Sequence, residues 1–257
     1  MSLLSFIINR VAPLPAIESF DRFLFVGPHP DDIEIGAGAT AARLAAEGKT
    51  VRFLVCTDGC YGTTNTALRG NTLVETRKAE ARKSASMLGV QDLRMLGFSD
   101  GNQYDLGALR KALAREISDF APDVIFCPDP DVISECHADH LNVGRLCKEL
   151  ANFASNPGIM AGFGAEPAAV KALAMYMSAK CNAFVATSGY LEKQLAAIFD
   201  SHLSQFPPEC ADAKSIPLYL KLRAYDFGIR KLCRTAEGFR VLGTTQMHCM
   251  PEAGEIK

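Results

Sequence analysis

Short apolar runs alternate with longer helical patterns through the first half of this chain, and that alternation leaves few folds open. Phe23-Leu-Phe-Val-Gly27, Val51-Arg-Phe-Leu-Val-Cys56, Leu93-Arg-Met-Leu96 and Val124-Ile-Phe-Cys127 read as strands. Near-continuous hydrophobicity is what a parallel strand covered on both faces requires. Between these runs, Ile35 to Gly48, Leu73 to Leu88 and Leu106 to Phe120 carry apolar residues at helical spacing, with Gly48 and Gly89 as stops.

The pattern predicts an α/β fold: a Rossmann-like, doubly wound and mostly parallel sheet with helices on both faces, in a single domain. With 257 residues, 48% of them hydrophobic, the chain can fill one large core. No internal repeat or low-complexity tract marks a second domain. The reading divides the chain into an N-terminal arm over 1–20, a Rossmann-like half over 22–155, and substrate-pocket and C-terminal elements over 156–243. In the last part, Asn156 to Pro167 reads as a loop, Ala172 to Met177 and Ala183 to Ala186 as strands, Gly189 to Phe206 and Ile216 to Thr235 as helices, and Phe239 to Leu242 as a late strand.

Composition excludes some partners. The formal net charge is only −2, with no basic stripe, so nucleic acid and polybasic membrane binding are not expected. The apolar run near Met1 is too short to span a bilayer and has neither a basic segment before it nor a cleavage site after it. Nine scattered cysteines without a C-x-x-C pair read as free thiols of a cytoplasmic protein. The expected partner is a small molecule.

Two clusters carry the chemistry. Pro28-His29-Pro30-Asp31-Asp32-Ile33-Glu34 leaves the carboxyl end of strand one, and His137-Ala138-Asp139-His140 follows strand four. In a sheet of order 3-2-1-4-5 those two strands are neighbours, and their carboxyl ends flank the crevice where ligands bind. A catalytic zinc takes three ligands of the His, Asp or Glu type and leaves a position open. His29, Asp32 and His140 supply such a set, with one ion per subunit and another divalent metal an alternative to zinc. Asp31 is then free to act as general base, and His137 to stabilise an oxyanion or protonate a leaving amine, with Asp139 orienting it.

On these residues the chain resembles the LmbE-like, or PIG-L, N-acetylglucosamine deacetylase family. The segments Pro28 to Gly36 and His137-x-Asp139-His140 match its two defining motifs. Thr57-Asp58-Gly59 with Gly62-Thr63, Arg77-x-x-Glu80, His202-x-Ser204-Gln205 and Ala236-Glu237-x-Phe239 also fall where the family has similar stretches, so the likeness runs over roughly 22–243. It implies zinc on His29, Asp32 and His140, Asp31 as base, His137 near the oxyanion, and an N-acetylglucosamine-type substrate. Arg77, by its place in the matching helix, is implied as a grip for substrate hydroxyls or a phosphate. Ala138 departs from the family's usual proline, and the long stretch before His137 leaves the aglycone open.

Plainer readings compete with each of these. Asp31 and Asp32 could simply cap a helix, and Arg77 and Glu80 could be an i, i+3 ion pair. His202 reads either as a core residue or, by its Ser-Gln neighbours, as part of the pocket wall and so a substrate contact. Gly36-Ala-Gly38-Ala-Thr40 fits close helix packing better than a dinucleotide site, because the third glycine is missing. A thiol nucleophile at Cys136 is disfavoured. The rival functions are a metal-dependent phosphoesterase and a non-catalytic sugar-binding protein. The chain leaves its oligomeric state open, and a homo-oligomer is compatible with it.

Overall fold

Among the described residues, seven strands form one sheet in the order β3-β2-β1-β4-β5-β7-β6. The computed structural model describes residues 7–249 except 9, 64 and 66, so the opening Met1–Phe6 of the expected arm lies outside the described residues. The core unit runs β1 (Arg22–Gly27), α1 (Asp32–Ala46), β2 (Thr50–Thr57), α2 (Asn71–Leu88), β3 (Asp92–Phe98), α3 (Leu106–Phe120) and β4 (Val124–Pro128). Then come α4 (Ala138–Phe153), α5 (Pro157–Gly162), β5 (Ala172–Tyr176), β6 (Ala183–Ala186), α6 (Leu191–Phe199), α7 (Asp212–Lys231) and β7 (Ala236–Gly243). Strands β1 to β5 pair in parallel, while β7 runs antiparallel to both β5 and β6. The expected doubly wound, mostly parallel sheet is therefore present.

Alternation along each strand builds two cores. Phe23, Phe25, Phe53, Phe126 and Val241 face one side with Ala37, Ala41 and Leu88. Leu24, Val26, Leu54, Ile125 and Leu173 face the other with Leu113, Ile117, Val143 and Leu150. Both faces are covered, which is why these strands carry almost no polar residue. The ring of Phe126 stacks on Phe25 with centroids 4.2 Å apart and meets Phe239 edge-on at 5.1 Å, tying β1, β4 and β7 together.

The small residues of α1 are there for packing. A Cβ at Gly36 would fall inside the ring of Tyr176, whose hydroxyl donates to the Val26 carbonyl at 2.9 Å. The dinucleotide reading of this stretch has no support in the fold, because α1 begins at a His-Asp cluster and its glycines face protein side chains.

Differences from the expected elements lie mostly in the second half. The loop expected over 156–167 contains α5, which starts with the Asn156 side chain accepting from the Ile159 N–H at 3.1 Å and Pro157 in the first turn. Capping and proline pre-organisation make a one-and-a-half-turn helix there despite its glycines. The helix expected over 189–206 stops at Phe199, and that expected over 216–235 spans Asp212–Lys231 with Pro217 inside it. Its end is set by Leu232 in the left-handed region. All nine cysteines are free, and no helix among the described residues is long and apolar enough to cross a membrane.

Phe126→Ala removes the ring on which three strands converge. It is expected to cost about 3–5 kcal/mol, the range for truncating a buried aromatic, and urea unfolding should show the midpoint falling with the slope unchanged.

Candidate metal centre and catalytic cavity

The parallel pairing of β1 with β4, with Phe25 opposite Phe126, brings the loops after both strands to the same edge of the sheet. Beyond Gly27 the chain is pinned by the Pro28 carbonyl, which accepts from both the N–H and the hydroxyl of Thr57 at 2.9 Å. The turn then passes through Asp31 at φ 127° and ψ −26°. That conformation is costly for a residue with a Cβ, on the order of 1–3 kcal/mol, and persists where surroundings hold it. Here the holder is Arg77, 2% exposed, which donates to the carbonyls of Pro30 (2.7 Å) and Gly59 (3.1 Å) and lies 3.3 Å from the Asp31 carboxylate.

The three expected ligands meet. One Asp32 oxygen lies 3.0 Å from Nδ1 of His29, and the other lies 3.4 Å from Nε2 of His140. One ligand atom from each of His29, Asp32 and His140 can be chosen so that all lie within 4.8 Å of one another. The far nitrogen of each imidazole is backed by carboxylate. His29 Nε2 faces Asp100 at 3.0 Å and Asp139 at 3.1 Å, and His140 Nδ1 faces Glu135 at 2.9 Å. Carboxylate behind imidazole fixes ring orientation and strengthens the nitrogen's donation to a metal. The donor set therefore fits a single divalent ion.

A second group of possible ligands, His29, Asp100, His137 and Asp139, shares His29 with the first. Asp139, however, is already engaged: its oxygens accept from the N–H groups of Gly101 (2.8 Å) and Asn102 (2.9 Å). It reads as support for His29.

The surrounding charge shifts the titration of these groups in the metal-free protein. Burial opposes protonation of His29, but hydrogen bonds to Asp100, Asp139 and Asp32 outweigh it and push its pKa up to about 12. Burial likewise opposes the charge on His140, and Asp32 with Glu135 raises it to about 9. Burial raises Asp31 to about 6, against the pull of the Arg77 guanidinium and with a further push from Asp32. A site this rich in carboxylate favours a cation.

The other expected residues fall as follows. His137 caps α4 and is 47% exposed at its side chain; its Nδ1 accepts from the Asp139 N–H at 3.3 Å, so in the neutral ring the proton sits on Nε2. Asp139 is 3.8 Å from the His137 ring, farther than from His29, so its firmer contact is with His29 and not with its expected partner. Arg77 borders the cavity with its two terminal nitrogens on Asp31 and two carbonyls; Glu80 instead accepts from the N–H (2.8 Å) and hydroxyl (2.6 Å) of Ser204. His202 is not on the pocket wall. It is fully buried, its Nε2 3.3 Å from Glu34, and so lies one layer behind α1. Asp31 makes no side-chain cap bond to α1, which removes the plain capping reading.

Asp100 and Glu135 are the functional neighbours that sequence reasoning missed. Asp100 follows the carboxyl end of β3, the same strand-end signal that pointed to His29. Glu135 accepts from the His137 N–H at 2.8 Å as well as facing His140. His29, Asp31, Asp32, Asp100, His137 and His140 line a cavity of about 450 Å³, together with Tyr61 and the apolar side chains of Ile35, Phe206 and Ile216. The size suits a small ligand with a few placed polar groups.

The family model described as PIG-L: GlcNAc-PI de-N-acetylase matches residues 24–151. A diacetylchitobiose deacetylase of Thermococcus kodakarensis is 33% identical over 238 residues, covering 91% of this chain and 88% of that protein. A 1D-myo-inositol 2-acetamido-2-deoxy-alpha-D-glucopyranoside deacetylase of Thermobispora bispora is 31% identical over 166 residues, 55% of each chain. Among solved structures, N,N'-diacetylchitobiose deacetylase from Pyrococcus horikoshii superposes with a TM-score of 0.83 and 30% identity over 98% of this chain and 97% of that one. With likeness extending over nearly the whole of two such relatives and both motifs meeting at one cavity, the chain belongs to the PIG-L family.

Proposed function

We propose that this N-deacetylase hydrolyses the acetamide of an uncharged N-acetylglucosamine saccharide, using one zinc ion on His29, Asp32 and His140 and Asp31 as general base. The observation that carries the reading is the meeting of those three ligands beside a buried carboxylate that is not one of them. Support for the substrate class comes from the Thermococcus relative, named a diacetylchitobiose deacetylase. When bound, zinc supplies Lewis acidity, acidifying a water and polarising the acetyl carbonyl.

The chain's own residues supply the rest. Arg77 holds Asp31 in its strained turn, so that the carboxylate faces the cavity and takes the proton of the attacking water. His137, with Nδ1 occupied by the Asp139 amide, offers Nε2–H to the carbonyl oxygen as negative charge builds on it. The carbon–nitrogen bond then breaks, the proton held by Asp31 passes to the amine nitrogen, and acetate and the free amino sugar leave. Ile35, Phe206 and Ile216 form an apolar wall for the acetyl methyl or a sugar face. Arg77 acts on Asp31 and His202 on Glu34, so neither is given a substrate contact. Phosphoryl chemistry is the poorer reading, because the cavity is bordered by Asp31, Asp32, Asp100 and Asp212 while its one arginine is already paired.

An assay of acetate and amine release from diacetylchitobiose should give equal amounts of both products, cease on chelation and return with added zinc. Activity that survives removal of the metal contradicts the reading. Asp31→Ala is expected to lower kcat by about 10²–10⁴-fold, the span for loss of a general base, with metal content per chain unchanged. Arg77→Leu leaves Asp31 unpaired and should destabilise the fold by about 3–5 kcal/mol in chemical denaturation, as for breaking a buried ion pair from one side.

A further inference from the structure

The helix that carries Asp32 is not continuous. At Ala37 the backbone leaves the helical region, with φ −154° and ψ 18°, and two segments of α1 meet there at a kink. A break of this kind exposes N–H groups at the start of the second segment and carbonyls at the end of the first, and in a protein interior they need partners.

Two side chains from elsewhere in the fold provide them. The N–H groups of Ala39 and Thr40 donate to the two oxygens of Glu237 in β7, at 3.2 and 2.7 Å. Across the break, the carbonyls of Glu34 and Ile35 lie 2.8 and 3.4 Å from Nε2 of Gln194 in α6, which donates to them. The same Nε2 lies 2.9 Å from Glu237, closing the bridge. Both residues are buried, at 2% and 8% exposure, and Gly38 leaves room for the clasp, since a Cβ there would stand 3.0 Å from Cγ of Gln194. An ordinary cap would satisfy only the amides of the second segment. Gln194 also reaches back to the first, the turn that begins at Asp32.

We propose that Gln194 and Glu237 are positioning residues, a clasp across the break at Ala37 that sets the first turn of α1, and with it Asp31 and Asp32, against His29 and His140. The catalytic consequence rests on the deacetylase reading above; the effect on the turn and on metal binding does not. Support that orients a ligand from outside the coordination sphere characteristically controls affinity and rate without touching substrate.

The test uses Gln194→Ala, Glu237→Ala and Glu237→Gln in the full chain. In the metal-free protein, amide hydrogen exchange over 32–38 should quicken by about tenfold or more in Gln194→Ala, while β1 and β4 keep their protection. Zinc affinity, measured by competition with a chromogenic chelator, should weaken by about tenfold, the lower bound for lost outer-shell support, and kcat should fall with KM within about twofold. Glu237→Gln, which keeps one acceptor oxygen, should lose less than Glu237→Ala. If Glu237→Ala does not fold, Gln194→Ala and Glu237→Gln decide the matter. Exchange and zinc affinity within about twofold of wild type, or exchange quickened evenly across the sheet, overturn the proposal. A wild-type protein that releases no acetate sinks the deacetylase reading alone and leaves these two measurements standing.

Discussion

The parallel pairing of β1 with β4 is the constraint on which the site depends. Their registered neighbours, Phe23 with Val124 through Phe25 with Phe126, deliver two loops more than a hundred residues apart in sequence to one edge of the sheet. Had the order of strands differed, His29 and His140 would have stood on separate loops with nothing between them. The aromatic stack of Phe25 on Phe126 is thus more than core filling, since it ties together the pair whose carboxyl ends carry the candidate ligands.

Around that edge the protein concentrates negative charge in little water. Asp31, Asp32, Asp100 and Asp139 are all buried or nearly so, and each has compensating partners: a guanidinium for Asp31, imidazoles for Asp32, and loop amides with the His29 imidazole for Asp100 and Asp139. Uncompensated buried carboxylates are expensive, so such a group persists only with cations or aligned N–H donors. The same economy explains the second layer, where Glu34 holds Ser84 and His202, and Glu237 holds α1 at its break. The turn at Asp31 is strained from within and braced from two sides, by Arg77 below and by the clasp behind.

What the sequence made legible follows physical lines. Buried parallel strands announce themselves because both faces are apolar, and the strand-end rule then placed His29, Asp32, His137 and His140 together. Gly89 closed α2 as its left-handed φ of 87° requires. The misses came where tertiary contact overrides local pattern. The helix at Pro157–Gly162 contains glycines and is made by a cap and a proline. His202 shares motif neighbours with the site, yet its side chain turns into protein toward Glu34, and Arg77 reaches the cavity edge paired with Asp31, which no spacing reveals. Asp100, Glu135 and the break at Ala37 depend on how loops and helices cross, and that information is not local in the chain.

Whether one ion sits between the two motifs can be read from crystals of the zinc-loaded protein measured on both sides of the zinc absorption edge. One anomalous peak per chain is expected, with His29, Asp32 and His140 each at about 2.0–2.2 Å from it. A peak centred instead on Asp100 and His137, or a pair of peaks about 4 Å apart as in two-metal sites, would contradict it.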